Sequence, residues 1–260
     1  MIVDGKTFTA RVPAKLNLSL AITGKKDGLH TLDMIVCPYE KYEDVVSFYP
    51  QEGEKSGVSD VFVDCDFDGF DKQRFINAIR EKLDMVARRA SVFGSVRIRK
   101  NIPLAAGMGG SSASIVGAVK AIEQYCASIG KNMPLDAGFL LSLGGDVPYM
   151  YKGGVCRVRG FGEIVDALDC TIENEFCDIV VEGGADSGAC YKTFDELGKD
   201  YANLPIPTTV QEALDVCRND LFEASCIVNP KIKERADELK KQGIEKVFMT
   251  GSGSGLFYIV

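Results

Sequence analysis

The chain has 260 residues, 46% hydrophobic and 26% charged, with a formal net charge of −7, an ordinary globular composition with length for one large domain or two closely packed ones. The acidic balance argues against a nucleic-acid binder, which shows a basic face, and the longest apolar runs, such as residues 115–119, are far too short to span a bilayer. Nine cysteines scattered singly, with His30 as the one histidine, fit neither a zinc site nor a disulfide framework.

Residues 1–6 lack the basic stretch, apolar core and cleavage site of a secretory signal, so a cytoplasmic location is the expectation. Residues 7–12 and 16–22 read as strands separated by Pro13, and Lys26-Asp27-Gly28 marks a turn. Further strands are expected over 32–37, 44–48 and 61–64. Phe75, Ile79, Leu83 and Val86 recur at helical spacing, predicting a helix over 71–89. Residues 95–100 alternate as a strand whose basic cluster, Arg97, Arg99 and Lys100, reads most simply as a solvated face. A helix over 112–129 starts at a glycine-rich loop. Asn132 as N-cap, with Pro134 in the first turn, predicts a helix to about residue 143. Beyond it come strands over 155–158 and 177–182, helices over 221–228 and 230–241, and strands over 246–250 and 256–260. A boundary within 164–172 divides the chain into 1–165 and 166–260.

Four segments carry candidate chemistry. Residues 103–114 read Pro-Leu-Ala-Ala-Gly-Met-Gly-Gly-Ser-Ser-Ala-Ser, a strand-fed glycine loop entering a helix. Such a loop aims free backbone N–H groups and the positive helix end at an anion, and its serines add hydroxyl donors or ligands for the Mg²⁺ that accompanies ATP. It is neither a Walker A loop nor the dinucleotide fingerprint. A plain surface turn, or a glycine-packed helix–sheet contact, is the competing reading. In Pro13-Ala14-Lys15-Leu16-Asn17-Leu18, Lys15 and Asn17 share one strand face, suited to a phosphate and a hydroxyl. A lysine that merely guards a strand edge would look the same. Asp146, in Gly144-Gly145-Asp146-Val147-Pro148, is a catalytic candidate, although aspartate is common in turns because it bonds its own backbone. Thr250-Gly251-Ser252-Gly253-Ser254-Gly255 is either another anion-facing loop or a hairpin connection.

Taken in this order, the four segments resemble the GHMP kinase superfamily, and within it a branch acting on a cytidyl-bearing alcohol. Thr23-Gly24 through Gly28-Leu29-His30-Thr31-Leu32, Gly160-Phe161-Gly162-Glu163 and Asn219-Asp220-Leu221 extend the match from about residue 11 to 260. The resemblance implies an α+β, two-part fold with a cleft between an N-terminal half carrying the ATP-phosphate loop and a C-terminal half without the family's usual last helix and strand. It implies ATP as phosphoryl donor, Mg²⁺ carried on the nucleotide with Ser111 or Ser112 as ligand and no dedicated protein site, and a small-molecule alcohol as acceptor. By the same resemblance Lys15 and Asp146 are catalytic, and Lys100 lies near the adenine. Pro103, Gly107, Gly109, Gly110, Ser111 and Ser112 surround the phosphates, while Asn17, His30, Tyr191, Lys192 and Gly253 meet the acceptor. Two positions depart from the pattern: Leu29 replaces a tyrosine that stacks on the cytosine, and the glycine loop is one residue shorter. These leave open a GHMP kinase for a homoserine-, mevalonate- or sugar-like alcohol, or a catalytically silent nucleotide-binding relative.

Overall fold

A computed structural model describes residues 6–52, 55–199 and 204–260. Strand β1 runs unbroken over Phe8–Lys26. The expected break at Pro13 does not occur, because proline lacks only the N–H and a strand accepts it where that side is outside the ladder. Strand β2, Leu29–Pro50, likewise merges two expected strands. Asp27 and Gly28 connect β1 to β2 with φ of 52° and 81°. Two successive positive φ values match the twist of a hairpin, and Asp-Gly is a favoured sequence for that turn.

Strand β3 (Gly57–Cys65) leads to helix α1 (Lys72–Arg89), whose N-cap Asp71 accepts from Arg74 N at 2.9 Å. Strand β4 (Phe93–Lys100) precedes the glycine loop, and α2 (Gly110–Ser128) begins inside it. Helix α3 covers only Ala137–Leu143, with Asp136 rather than Asn132 as N-cap, accepting from Phe139 N at 2.8 Å. Pro134 disfavours helical backbone at Met133, so the helix starts after it. There follow α4 (Val147–Lys152), β5 (Cys156–Gly160), β6 (Ile164–Ala167) and β7 (Phe176–Val180). The chain continues through α5 (Ser187–Leu197), α6 (Val210–Val216), α7 (Phe222–Val228) and α8 (Lys231–Lys241). It closes with β8 (Phe248–Met249) and β9 (Gly255–Ile259).

Two compact units are gathered from interleaved stretches. The first holds the described residues of 1–14 and Glu40–Ile102, with Gly110–Tyr151. In it β4 lies between β3, which is parallel, and the second half of β2, antiparallel with Val45 opposite Arg99. Helix α1 packs on β3 and α2. Ile79, Leu83 and Val86 of α1 are buried, as are Val116, Val119 and Ile122 of α2 and Phe48, Val96 and Ile98 of the strands. A Cβ at Gly117 would lie 2.4 Å from Cγ2 of Val46, so glycine is what lets α2 approach β2 this closely.

The second unit holds Lys15–Tyr39, Pro103–Gly109 and the described residues of Lys152–Val260. Here the first half of β2 pairs antiparallel with β5, Leu32 opposite Gly160, and β5 pairs with β6. Strand β9 lies between β7 and β8 in a second antiparallel sheet, where Phe248 and Phe257 stack with centroids 4.9 Å apart. Helix α7 packs on α5 and α8. Asn219 Nδ2 donates to the carbonyls of Met249 and Gly251 at 2.7 and 2.9 Å, and the Asp220 carboxylate accepts from Ile22 N at 2.8 Å. These bonds tie β1 to the turn after β8. Among the described residues no helix is long and apolar enough to cross a membrane.

Candidate active site

In the second unit the glycine loop is held by its carbonyl groups. Ala105, Gly107 and Gly109 have φ of 48°, 70° and 77°, left-handed conformations that glycine adopts without strain. The Ala105 and Ala106 carbonyls accept from Ser254 N and Gly255 N at 2.9 and 3.0 Å. The Gly107 carbonyl accepts from Thr250 Oγ1 at 3.1 Å, and that of Met108 from Lys15 N at 3.1 Å. The last glycine turn is therefore a brace for the first. Asn17, almost fully buried, joins both: its Oδ1 accepts from Lys15 Nζ and from Gly251 N at 2.8 Å, and its own N–H donates to Thr250 Oγ1 at 3.1 Å. Lys15 is 3% exposed, and its ammonium donates to Asn17 Oδ1. Gly253 N donates to Thr250 O at 2.9 Å, which places this glycine in the closure of the turn.

In the first unit, α2 starts at Gly110, so the amides of residues 110–113 have no acceptor within the helix. Ser111 is exposed and Ser112 half-buried in that first turn. A Cβ built at Gly144 would lie 3.7 Å from Ser112 Oγ and 3.9 Å from Lys82 Nζ, so the turn leading to Asp146 sits beside the start of α2, with the Lys82 ammonium close by. Asp146 itself is half-buried, and its carbonyl accepts from Met150 N at 3.0 Å as α4 begins. Lys82 escapes sequence reading because nothing in its spacing separates it from the other charged residues of α1.

Lys100, expected beside the adenine, is instead buried and braces α2. Its Nζ donates to Asp44 Oδ2, to Gly110 O at 2.7 Å and to Ser114 Oγ at 3.1 Å, which uses the three ammonium protons. Asp44 Oδ1 also accepts from the amides of Asn101 and Ile102 at 3.0 and 3.1 Å. Burial pushes the Lys100 pKa down, against the opposing pull of Asp44. The cluster joins the end of β4 and the second half of β2 to the first turn of α2. Asp44 gave no signal in the sequence, since it lies inside an otherwise strand-like run.

A third group forms in the second unit at the tip of the β1–β2 hairpin. The His30 ring stacks on Tyr191 of α5 with centroids 5.0 Å apart and planes 21° apart. His30 Nε2 lies 2.7 Å from Asp195 Oδ1, and Lys25 Nζ donates to Asp195 Oδ2 at 2.6 Å. His30 and Tyr191 thus come together. The Lys192 side chain, one position further along α5, is 79% exposed and faces Glu196 at 3.8 Å. Leu29 is exposed at the start of β2.

A strand that passes through braced glycine turns into the start of a helix is the frame of a GHMP kinase, and residues 73–154 match the family described as GHMP kinases N terminal domain. The chain is an ATP-dependent small-molecule kinase of that class. The 4-diphosphocytidyl-2-C-methyl-D-erythritol kinase of Desulfitobacterium hafniense is 30% identical over 257 residues, which cover 95% of this chain and 85% of the relative. The enzyme of the same name from Cutibacterium acnes is 28% identical over 274 residues, covering 98% and 86%. A crystal structure of 4-(cytidine 5'-diphospho)-2C-methyl-D-erythritol kinase shares the fold with a TM-score of 0.67 at 22% identity, over 97% of this chain and 90% of that one. The chain belongs to the 4-diphosphocytidyl-2-C-methyl-D-erythritol kinase family.

Proposed function

We propose that the protein transfers the γ-phosphoryl group of ATP to the 2-hydroxyl of 4-diphosphocytidyl-2-C-methyl-D-erythritol, a step of non-mevalonate isoprenoid precursor synthesis, in the cytoplasm. The observation that carries the reading is the match to the Desulfitobacterium enzyme over 95% of this chain, in a structure whose glycine loop runs straight into the open amides of α2. Homoserine-, mevalonate- or sugar-like acceptors are not favoured by these relatives.

Phosphoryl transfer relies chiefly on positioning and charge stabilisation. The amides at the start of α2 and the hydroxyls of Ser111 and Ser112 hold the nucleotide phosphates, and the nearby Lys82 ammonium offsets their charge. The hydroxyls of Ser111 and Ser112 would meet a Mg²⁺ carried on ATP. When bound it neutralises charge on the phosphates. Asp146 orients the acceptor hydroxyl and takes its proton, and Lys15 offsets charge on the transferring group. Asn17 acts through Lys15 by fixing its ammonium. Lys100 braces α2, its three ammonium protons held inside the protein. His30 and Tyr191 meet the base, with Lys192 and Gly253 at the margin.

Turnover is read as ADP release with the cytidyl alcohol as acceptor, against homoserine, mevalonate and sugars. Asp146→Asn is expected to abolish release while ATP still binds at close to the original affinity. Retained turnover in that variant, or a faster rate with one of the other alcohols, would refute the assignment.

A further inference from the structure

Asp195 has no part in the chemistry proposed above, yet it holds the one histidine of the chain. The hairpin tip presents Lys25 from the end of β1 and His30 from the start of β2, and α5 meets them with Tyr191, Phe194 and Asp195. These three share one helix face by their spacing of three and four. Tyr191 stacks on the imidazole, and Phe194 meets it edge-on with centroids 5.7 Å apart and planes 87° apart. The Asp195 carboxylate then divides its oxygens, one 2.7 Å from His30 Nε2 and one 2.6 Å from Lys25 Nζ. Two rings set the plane of the imidazole, and the carboxylate sets its rotation within that plane. The His30 side chain is 9% exposed.

We infer that Asp195 is a positioning residue that selects the form of His30 offered to the acceptor: with Nε2 donating to the carboxylate, Nδ1 becomes a hydrogen-bond acceptor, matched to the exocyclic amine of cytosine and mismatched to the carbonyl that uracil carries at that position. The direction of the bond follows from chemistry. Lys25 donates to Asp195 and, with a smaller contribution from His30, holds its carboxyl below the ordinary carboxylate range. An ionised carboxylate only accepts, so Nε2 must carry the proton. The two bases differ at this edge as donor and acceptor. A site built to hydrogen-bond one group rejects an analogue that leaves it unpaired.

The identity of the ligand rests on the proposed cytidyl acceptor; the hold of Asp195 on His30 does not. Because the chain has a single histidine, nitrogen-15 labelling of histidine in the full-length enzyme gives ring signals that need no assignment by mutation. For the neutral ring, the expected spectrum shows a protonated Nε2 and a bare Nδ1. Asp195→Ala should move proton occupancy toward Nδ1. It should also raise KM for the cytidyl alcohol about tenfold, or about 1.4 kcal/mol, with kcat and the KM for ATP unchanged. The preference over the uracil analogue should narrow by the same factor. Asp195→Asn keeps an oxygen that accepts from Nε2, so it should restore KM to within about threefold. A protonated Nδ1 in the wild-type spectrum, an unchanged spectrum in Asp195→Ala, or a KM for ATP that rises in parallel would each overturn the inference. If the wild-type enzyme turns over no cytidyl alcohol, the functional reading fails, and the nitrogen spectrum still decides whether Asp195 controls the imidazole.

Discussion

Lys100→Met tests whether the buried cluster at the start of α2 is a structural brace. The substitution leaves Asp44, which has no exposed surface, with two backbone amides and the Ser114 hydroxyl but no counter-charge. Breaking a buried pair by removing one partner typically costs about 3–5 kcal/mol, because the remaining charge is stranded. That is a large share of a total stability on the order of 5–15 kcal/mol. The chain has no tryptophan, so unfolding in urea is best followed by far-ultraviolet circular dichroism. With a slope of about 3 kcal/mol per molar urea, the midpoint should fall by about 1–2 M. Adding Asp44→Asn removes the stranded charge, and the double variant should be less destabilised than the sum of the singles by about 0.5–3 kcal/mol. The KM for ATP should rise in Lys100→Met, since the Gly110 carbonyl loses its anchor. A midpoint shift below about 0.3 M would put the pair in the range of exposed ion pairs and refute the reasoning.

Two further outcomes follow from local geometry. In Gly107→Ala the new Cβ would lie 2.0 Å from Thr250 O at a φ of +70°, so the two glycine turns cannot keep their register. A loss of about 1–3 kcal/mol in urea unfolding is expected, together with a raised KM for ATP; a variant as stable as wild type would contradict the bracing of one turn by the other. Burial pushes the Cys37 thiol up to about 12 from 9.0, only partly countered by a hydrogen bond from the Leu16 backbone. The unfolded thiol ionises first, so the stability that this group contributes is complete below about pH 9 and is lost as pH rises toward about 12. Urea midpoints measured across that window should fall less steeply in Cys37→Ala than in wild type, and parallel profiles would refute the assignment.

The parts of the fold that sequence reading captures are those with a strong local period. The apolar spacing of Phe75, Ile79, Leu83 and Val86 announces α1, and Asp71 caps it as its residue type allows. Helices α4, α5 and α6 escape, although α7, also seven residues long, does not. Helices α4 and α6 have six and seven residues, too few turns for a helical period to emerge. Strand β6 has four residues with hardly any burial, so it carries no alternation. The long strands read as divided in sequence because a proline or a polar residue interrupts a pattern without interrupting a ladder. The interleaving of the two units has no local signature at all, since alternation tells which face of a strand is buried and not which stretch of chain buries it. At the site, Lys15, Asn17 and the glycine turns stand out because their residue types are unusual for a strand or a helix start. Lys82, Asp44 and Asp195 are common surface residue types whose partners lie far away in sequence, and only folding reveals them.

Leu29 shows how the departure from the family pattern is absorbed. A leucine offers apolar contact without a π-face, so it cannot stack on a base as the usual tyrosine does. The aromatic surface at this tip comes from α5 instead: Tyr191 lies flat against His30 and Phe194 closes the edge. On the proposed cytidyl acceptor, discrimination then shifts from stacking toward hydrogen bonding at one ring nitrogen. Stacking accepts every base, because every base has a π-face, whereas a donor–acceptor match separates cytosine from uracil. On that reading a chain without the tyrosine depends more heavily on the orientation of His30, and the Lys25–Asp195 pair supplies it from two elements that meet only in the folded unit.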